Sequence, residues 1–369
     1  MGTGGSVLLT TTCTENMSKS DCITINDRLI GPGRPVYVVA ELSGNHHQKY
    51  DQAVRILQAA KAAGADAIKL QTADPDTLTL DSEASCFVVR GGTLWDGRTL
   101  YDLYKEVCTP WEWHPKLKVV ACDLGLDFFS SPYDVAAVDF LEDLGVPAYK
   151  IASSEIVDIP LIRKVSGTGK PIIISTGMAT VEEIKEAITA ARQAGTEQLA
   201  LLKCTTAYPA PPEEINLRTI PDMEERFGVP VGLSDHSLEI GAPAAAVALG
   251  ACIVEKHLTL SRCDPGPDTA FSLEPDEFKA MVNTIRTVES ALGEVFYGVS
   301  EHERAGYAYR KSLFAVEDIQ ANDSFTIDNV RSIRPANGLH PRFLHDILGQ
   351  RASRDIKRGT PLSWDHIGK

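Results

Sequence analysis

Short apolar runs separated by helical patterns recur along most of the chain. Eight of these runs, each of four or five residues, lie between positions 36 and 254. Because they are short and do not alternate with polar residues, they are typical of strands that a parallel sheet buries on both faces. The runs occupy positions 36–40, 67–70, 126–129, 148–151, 171–174, 199–202, 229–233 and 251–254.

Helical patterns fill most of the gaps between the runs. The clearest cover 50–64, 181–195 and 275–292, with Gly64 as a helix-ending residue and Thr180 as an N-cap. Eight strands alternating with helices over about 260 residues predict a (β/α)8 TIM barrel. A doubly wound open sheet is the alternative, but no GxGxxG follows the first strand and eight is the number at which such a barrel closes.

The longest gap separates the second and third predicted strands. This insert, 72–125, contains Trp95, Trp111 and Trp113. Barrel enzymes place long excursions of this kind on the face that carries the active site. We expect the insert to border the site, with the tryptophans packed as its own core rather than as a platform for a ligand.

The pattern changes after position 292. Three β-like runs, 312–316, 328–334 and 349–354, are separated by turn residues. We divide the chain into a flexible N-terminal tail (1–21), a barrel (22–297), a linker (298–310) and a small β-rich domain (311–369). A domain of about 60 residues buries little core by itself, so we expect it to dock on the barrel or on a second subunit.

Composition excludes several classes of function. The formal net charge of −14 argues against nucleic-acid binding, which needs a basic surface. No apolar run approaches the roughly 20 residues of a membrane span, and the first residues are too poor in apolar positions for a signal peptide. The eight cysteines form no CxxC pair, which is typical of a reducing compartment. We expect a cytoplasmic protein.

Polar or ionisable residues follow every predicted strand, at the end of a barrel where active sites lie. His236 and His257 follow adjacent strands, 21 positions apart (257 − 236). Two imidazoles meeting there could bind a divalent metal such as Mn²⁺ or Zn²⁺. Glu41, across the barrel, could coordinate the metal directly, through water or not at all. The alternative is that each histidine is a hydrogen-bonded core residue.

A second set combines two lysines with serine hydroxyls, which suits a phosphate or carboxylate ligand. It contains Lys69, Lys150, Ser153, Ser175 and Ser234. Two alternatives remain open at this point. The lysines could form structural ion pairs, such as Lys150 with Glu155, or Lys150 or Lys203 could form a Schiff base as in an aldolase.

Several motifs resemble those of the sialic acid synthase (NeuB-type) family, and the tail resembles the antifreeze-like, or SAF, domain that follows the barrel in these enzymes. The resemblance covers residues 22–369. The motifs are Ala40-Glu41, Gly44-Asn45-His46, Lys69-Leu-Gln-Thr72, Lys150-Ile-Ala-Ser153, Ser175-Thr-Gly-Met178, Gly232-Leu-Ser-Asp-His236, Glu255-Lys-His257, Pro265-Gly-Pro-Asp268, Arg334-Pro335 and Gly338-Leu-His-Pro341.

The resemblance implies a metal-dependent condensation of phosphoenolpyruvate (PEP) with an amino sugar. His236 and His257 would hold the metal, usually Mn²⁺, with Mg²⁺ or Co²⁺ as alternatives, and Glu41 would act as acid or base. The implied PEP ligands are Lys69, Lys150, Ser153, Ser175, Thr206 and Ser234. Where neuraminate synthases carry Asn, this chain has Thr206, which leaves its role in PEP binding open.

The resemblance also implies how the sugar is held. Tyr208 and Asp268 would contact it, and Arg334 would reach the site from the tail of the second subunit in a domain-swapped homodimer. The insert is most similar to that of pseudaminic acid synthases, whose substrate is a 2,4-diacetamido-2,4,6-trideoxy hexose. Neuraminate or legionaminate synthesis is the alternative, a Schiff-base lysine aldolase is a more remote one, and a non-catalytic protein is a third interpretation.

Overall fold

A computed structural model describes residues 22–368. The predicted tail 1–21 lies outside the described residues. All eight predicted strands are present. They are β3 Tyr37–Glu41, β4 Ala67–Thr72, β5 Asp127–Pro132, β6 Tyr149–Ile151, β7 Ile172–Ser175, β8 Leu199–Cys204, β9 Val231–Asp235 and β10 Ile253–His257. The strands form a closed parallel barrel in the order β10-β3-β4-β5-β6-β7-β8-β9, which confirms the barrel.

Helices connect the strands. Their ends follow local chemistry: α1 stops at Gly64, whose φ of 91° favours glycine, and α7 starts with a capping box between Thr180 and Glu183. These helices are α1 Tyr50–Ala63, α4 His114–Leu124, α5 Val135–Leu144, α6 Ile159–Ser166, α7 Val181–Gln193, α8 Thr219–Phe227, α9 Gly241–Ala248 and α10 Pro275–Leu292.

Apolar side chains pack on both sides of the barrel wall, which explains why the strands do not alternate in polarity. In β3, Val38 and Ala40 belong to the larger cluster shared with the helices. Tyr37 and Val39 belong to a smaller cluster inside the barrel. The successive residues of each strand thus serve two cores, and the strand ends remain free for polar groups.

A hairpin closes the N-terminal end of the barrel. It consists of β1 Ile23–Ile25 and β2 Arg28–Ile30, which pair in antiparallel fashion. Ile23, Ile25 and Ile30 are buried in the inner cluster, against residues near the starts of the barrel strands. The sequence does not predict this element, because two three-residue strands are too short to give a recognisable pattern.

The insert between β4 and β5 folds into short elements. They are α2 Pro75–Leu78, a 3-10 turn at Ser85–Phe87, α3 Leu100–Val107 and a 3-10 turn at Trp111–Trp113, which leads into α4. Asp74 caps α2 and Thr99 caps α3 through side-chain acceptors for the first free N–H groups. None of the helices in residues 22–368 is long and apolar enough to cross a membrane.

The chain divides into two compact units after Gly293, four residues before the predicted boundary (297 − 293), because α10 ends at Leu292. The second unit pairs β11 Ser312–Ala315 with β12 Val330–Ile333 and has its own apolar core. The predicted run at 349–354 is wrong as a strand, since only isolated bridges at Arg351 and Ala352 form there. The described residues of the second unit contain two α-helices, α11 Arg304–Tyr307, inside the predicted linker, and α12 Leu344–Ile347.

Candidate active site

A cavity of about 380 Å³ lies at the C-terminal ends of the barrel strands. We call it the barrel cavity. Ten of the twelve residues predicted for the site line it, and Glu41 is buried next to Lys69. The ten are Lys69, Lys150, Ser153, Ser175, Thr206, Tyr208, Ser234, His236, His257 and Asp268.

Two buried lysines and Glu255 line the charged wall of the cavity, and the buried Glu41 lies against Lys69 without lining the cavity. Lys69 Nζ lies 2.5 Å from Glu41 Oε2 and 3.6 Å from Glu255 Oε1. Lys150 Nζ lies 3.7 Å from the same Glu255 oxygen. The ion-pair partner of Lys150 is therefore Glu255 and not Glu155. Glu255 is a site residue that the sequence analysis placed at a strand end but assigned no role.

Burial and the attraction of the lysines shift the pKa values of the two carboxyl groups, Glu41 and Glu255. Burial raises the pKa of Glu41 to about 7, although the Lys69 ammonium opposes the shift. Burial would also raise the pKa of Glu255, but Lys150 and Lys69 outweigh it and hold that pKa below its usual value. Glu255 is thus the permanent counter-ion. Glu41 can exist with or without its proton near neutral pH, as an acid or base requires.

Hydroxyl groups line the neighbouring wall. The Ser153 hydroxyl accepts a hydrogen bond from the Gly177 N–H at 3.1 Å. A Cβ at Gly177 would lie 2.7 Å from a Thr206 methyl carbon and 2.8 Å from Ser153 Oγ, so glycine is required for these groups to converge. The Ser175 hydroxyl is buried without a hydrogen-bond partner in the described chain, which leaves it available to a ligand.

The two histidines fit a divalent metal ion. The rings of His236 and His257 are 5.3 Å apart between centroids. His236 Nδ1 donates to the Thr205 carbonyl at 2.9 Å, which leaves Nε2 free to ligate. His257 Nδ1 is buried with no partner within the described residues, and burial lowers the pKa of this imidazole far below its usual range. The nitrogen with no partner among these residues and the lowered pKa of His257 both suit a neutral imidazole that can bind a metal.

Protein side chains alone would leave the coordination of that ion incomplete. Across residues 22–368, no group of three or more histidine, cysteine, aspartate or glutamate side chains is arranged to hold a metal. An ion between the two imidazoles would therefore take its remaining ligands from water or from a substrate. Open coordination positions of this kind are typical of catalytic metal sites.

Aromatic rings form the wall beside the histidines. The Tyr208 ring lies 4.5 Å from that of His236 and 5.4 Å from that of Trp95, between centroids. Burial raises the pKa of Asp268, whose carboxylate accepts the Gly44 N–H at 2.9 Å. This part of the cavity combines apolar surface with a few fixed polar groups, as sites for small organic ligands do.

The insert supplies much of the cavity's apolar lining, as expected from its position. The prediction that its tryptophans form only loop core is correct for Trp111 and Trp113, which pack against Phe140 and Tyr50. It is wrong for Trp95, which lines the cavity. The insert residues in the wall are Leu78, Val89, Thr93, Trp95, Leu100, Leu103, Tyr104 and Val107.

Comparison with known proteins agrees with this geometry. The NeuB family model matches residues 56–297, and the SAF domain model matches residues 310–368. The chain belongs to the NeuB family. Pseudaminic acid synthase of Campylobacter jejuni is 44% identical over 329 residues, 89% of this chain and 96% of the relative. Pseudaminic acid synthase of Helicobacter pylori is 44% identical over 336 residues, 90% of this chain and 98% of the relative.

A solved structure of the same kind supports the NeuB assignment. N-acetylneuraminic acid synthetase of Leptospira borgpetersenii, crystallised with citrate, superposes with a TM-score of 0.69 at 29% identity. The match covers 77% of this chain and 94% of that one. The predicted family and fold, a TIM barrel followed by a SAF domain, are confirmed.

Two predicted candidates lie elsewhere in this NeuB chain. Arg334 directly follows β12 of the second unit, the SAF domain. Lys203 occupies an outward-facing position in β8, in line with Leu199 and Leu201 of the larger cluster. It lines two other cavities but not the barrel cavity. It therefore does not share a cavity with Lys69, which removes Lys203 from the aldolase alternative. Lys150 remains in the cavity, ion-paired to Glu255.

Glu155 is a cavity residue that the sequence does not predict. Its Oε2 atom is buried without a partner in the described chain, and burial raises the pKa of the carboxyl to about 7. Besides burial, the charge of Glu155 raises the pKa of Tyr104 and Tyr133, which also line the cavity. A carboxyl in that state can accept a hydrogen bond from a polar ligand or donate one to it. Its place in the polar run that follows β6 is the available signal, but the sequence favours Glu155 as an ion-pair partner of Lys150.

Proposed function

We propose that this NeuB-family chain is a pseudaminic acid synthase. It condenses PEP with a 2,4-diacetamido-2,4,6-trideoxy hexose, giving pseudaminic acid and phosphate. One observation carries the chemistry: two lysines, a Ser175 hydroxyl without a hydrogen-bond partner among residues 22–368, and two imidazoles meet in a single cavity. The curated relatives named pseudaminic acid synthases and the insert support the choice of sugar.

PEP would lie against the lysine wall. Lys69 and Lys150 offset the charge of its phosphate and carboxylate, and Ser153 and Ser175 donate hydrogen bonds. Ser234, whose hydroxyl donates to Glu255 at 3.2 Å, would turn its hydroxyl to PEP on binding. Thr206 adds a hydroxyl next to Ser153. These groups are already held in place by the barrel strands, so little ordering is needed when the ligand binds.

His236 and His257 would hold a divalent ion, which we propose to be Mn²⁺. When bound, the ion supplies a Lewis acid that polarises the aldehyde of the open-chain sugar. The residues around the imidazoles orient them: the Thr205 carbonyl fixes the tautomer of His236, and Phe271 lies 4.9 Å from the His257 ring, between centroids.

The reaction itself forms one carbon–carbon bond and one carbon–oxygen bond, the latter from water, and breaks one carbon–oxygen bond. PEP C3 attacks the aldehyde carbon, and a water molecule then adds to PEP C2. The resulting tetrahedral intermediate releases phosphate by cleavage of the C2–O bond. Glu41 takes the proton from the attacking water or delivers one to the aldehyde oxygen, and its pKa of about 7 permits either role.

The sugar would lie at the aromatic end of the cavity. Tyr208 and Asp268 contact it, and we add Glu155 as a partner for a hydroxyl or acetamido group. Arg334 of a second subunit completes the site in a domain-swapped homodimer, which gives the SAF domain a catalytic role. The 6-deoxy and acetamido methyl groups would meet the apolar side chains of the insert.

The test is a substrate panel with the purified full chain. PEP and Mn²⁺ are mixed with the 2,4-diacetamido-2,4,6-trideoxy altrose, its legionaminate-type isomer or N-acetylmannosamine, and phosphate release and product mass are recorded. We expect phosphate and a nonulosonic acid from the first sugar, and no phosphate after EDTA treatment. Turnover of only another sugar would contradict the subfamily, and full activity in EDTA would contradict the metal site.

A further inference from the structure

A buried ion pair lies directly behind the two candidate metal ligands. It joins Lys256 of β10 to Asp235 of β9, and their side chains are 0% and 1% exposed. Their neighbours in sequence, His257 and His236, line the barrel cavity, whereas the ion pair does not. Because side chains alternate along a strand, Lys256 lies on the outer side of the barrel wall.

Lys256 holds the backbone on both sides of His236. Its ammonium donates to the Asp235 carboxylate and to the Ser237 carbonyl. The Ser237 N–H and hydroxyl each donate to the Asp235 carboxylate at 3.0 Å. The residues before and after His236 are therefore bonded to one ammonium group, and the backbone of that same lysine continues into His257.

Packing alone does not explain this pair. Removing two charges from water usually costs about as much as their attraction returns, and apolar residues of similar size often stabilise a fold equally well. The preceding outward positions on the same two strands, Leu233 and Val254, are apolar and buried in the larger core. The lysine and the aspartate at the next outward positions thus contribute directional hydrogen bonds and an ion pair to the barrel wall rather than hydrophobic burial.

We propose that Lys256 and Asp235 are positioning residues that hold His236 and His257 at the separation and orientation a divalent ion requires. The ion pair ties the ends of two neighbouring strands together at the level of the imidazoles. The inference rests on the metal site of the proposed function and assigns it a supporting pair outside the cavity. Supporting groups of this kind typically contribute 10- to 100-fold to metal affinity.

Two variants test the proposal through metal binding rather than activity. Asp235→Leu/Lys256→Met replaces the pair by apolar side chains of similar size, and Asp235→Asn removes only the charge. Mn²⁺ binding is measured by calorimetry and by electron paramagnetic resonance, with unfolding temperatures for every variant. The control is Lys170→Met, which removes the ion pair to Glu142 near the N-terminal end of the barrel.

We expect the Mn²⁺ dissociation constant to rise about 10- to 100-fold in the double variant and less in Asp235→Asn. The control and the affinity for PEP should stay at their wild-type values. A pair that only stabilises the fold would lower the unfolding temperature and leave Mn²⁺ affinity unchanged, which would overturn the proposal. If the double variant does not fold, Asp235→Asn decides by the same criterion.

Comparison with His236→Ala separates this proposal from the metal site itself. Wild-type Mn²⁺ binding that His236→Ala abolishes and both pair variants retain contradicts the positioning role alone. A wild-type protein that binds no Mn²⁺ contradicts the metal site and the positioning role together. Weakened binding in the pair variants with normal PEP affinity supports both.

Discussion

Glu155 combines burial with an incomplete set of partners. One of its carboxyl oxygens has no hydrogen-bond partner within the described residues, and burial raises the pKa of the group to about 7. An ionised group in such a place destabilises the folded chain unless a ligand supplies the missing bonds. Unfavourable groups of this kind concentrate at functional sites.

The raised pKa of Glu155 predicts a pH-dependent gain in stability for Glu155→Gln. The carboxyl titrates near 4.5 when unfolded and near 7 when folded, so its contribution to stability is complete below pH 4.5 and is lost as the pH rises through 7. We expect Glu155→Gln to unfold on the order of 3 °C or more above wild type at pH 8.5, and close to wild type at pH 4.5.

Thermal unfolding at both pH values checks this expectation, with the exposed Glu186→Gln on α7 as the control. Equal unfolding temperatures for Glu155→Gln and wild type at pH 8.5 would mean that the carboxyl is solvated. The same variant should bind the sugar more weakly, because the amide cannot carry the charge that the carboxylate offers.

At the residue scale, sequence reasoning works where a side chain follows a strand. Lys69, Lys150, His236 and His257 could be predicted because the barrel brings all strand ends to one face. The partners of these residues could not be predicted. The sequence pairs Lys150 with the nearby Glu155, but the barrel instead places Glu255, about 100 positions away, beside it. Contacts across a barrel depend on closure, which local sequence does not encode.

The insert and the N-terminal hairpin illustrate the limits at the element scale. The sequence marks the insert as a substrate loop but does not separate Trp95 from the other tryptophans, since each of the three lies next to an acidic residue. Only the fold shows that Trp95 turns towards the cavity, where its indole N–H donates to the Pro267 carbonyl at 2.8 Å. That bond ties the insert to the loop that carries Asp268.

This bond predicts different effects for two conservative variants. Trp95→Phe keeps an aromatic ring and loses a hydrogen bond worth about 1 kcal/mol, so we expect KM for the sugar to rise roughly 5-fold with little change in KM for PEP. Trp111→Phe also loses one bond, to the Ala73 carbonyl, but that ring lies outside the cavity. Steady-state kinetics should therefore separate the two, and equal KM values would contradict the positioning of the loop by Trp95.

At the scale of the whole molecule, the chain consists of two units with separate cores. The SAF domain packs around residues such as Leu313, Phe325 and Ile356, and Arg334 follows its second strand. The sequence correctly predicts two strands of this domain and wrongly predicts a third at 349–354. A turn-rich segment that forms only isolated bridges has the same composition as a short strand, so composition does not distinguish the two.

The proposed swapped dimer makes a prediction for mixed subunits. His236→Ala lacks a metal ligand in its barrel but has an intact Arg334, and Arg334→Ala has the reverse. Each variant alone should be nearly inactive. After subunit exchange, an equal mixture should recover about a quarter of wild-type activity, because half of the dimers are mixed and each contains one complete site.

Activity of the mixture after exchange is the measurement, with the unmixed variants treated identically as controls. No recovery despite demonstrated exchange would show that Arg334 acts within its own chain or not at all. Full activity of Arg334→Ala alone would remove this residue from the site.

The hairpin that closes the N-terminal end of the barrel also constrains kinetics. With that end filled by Ile23, Ile25 and Ile30, the part of the barrel that the structure describes has no exit behind the lysines, and ligands enter and leave past the wall that the insert lines. A ligand seated against Lys69 and Lys150 must then arrive before, and leave after, any ligand seated against Trp95. The enzyme would follow a compulsory order of addition, and high concentrations of the outer ligand alone would obstruct the inner one.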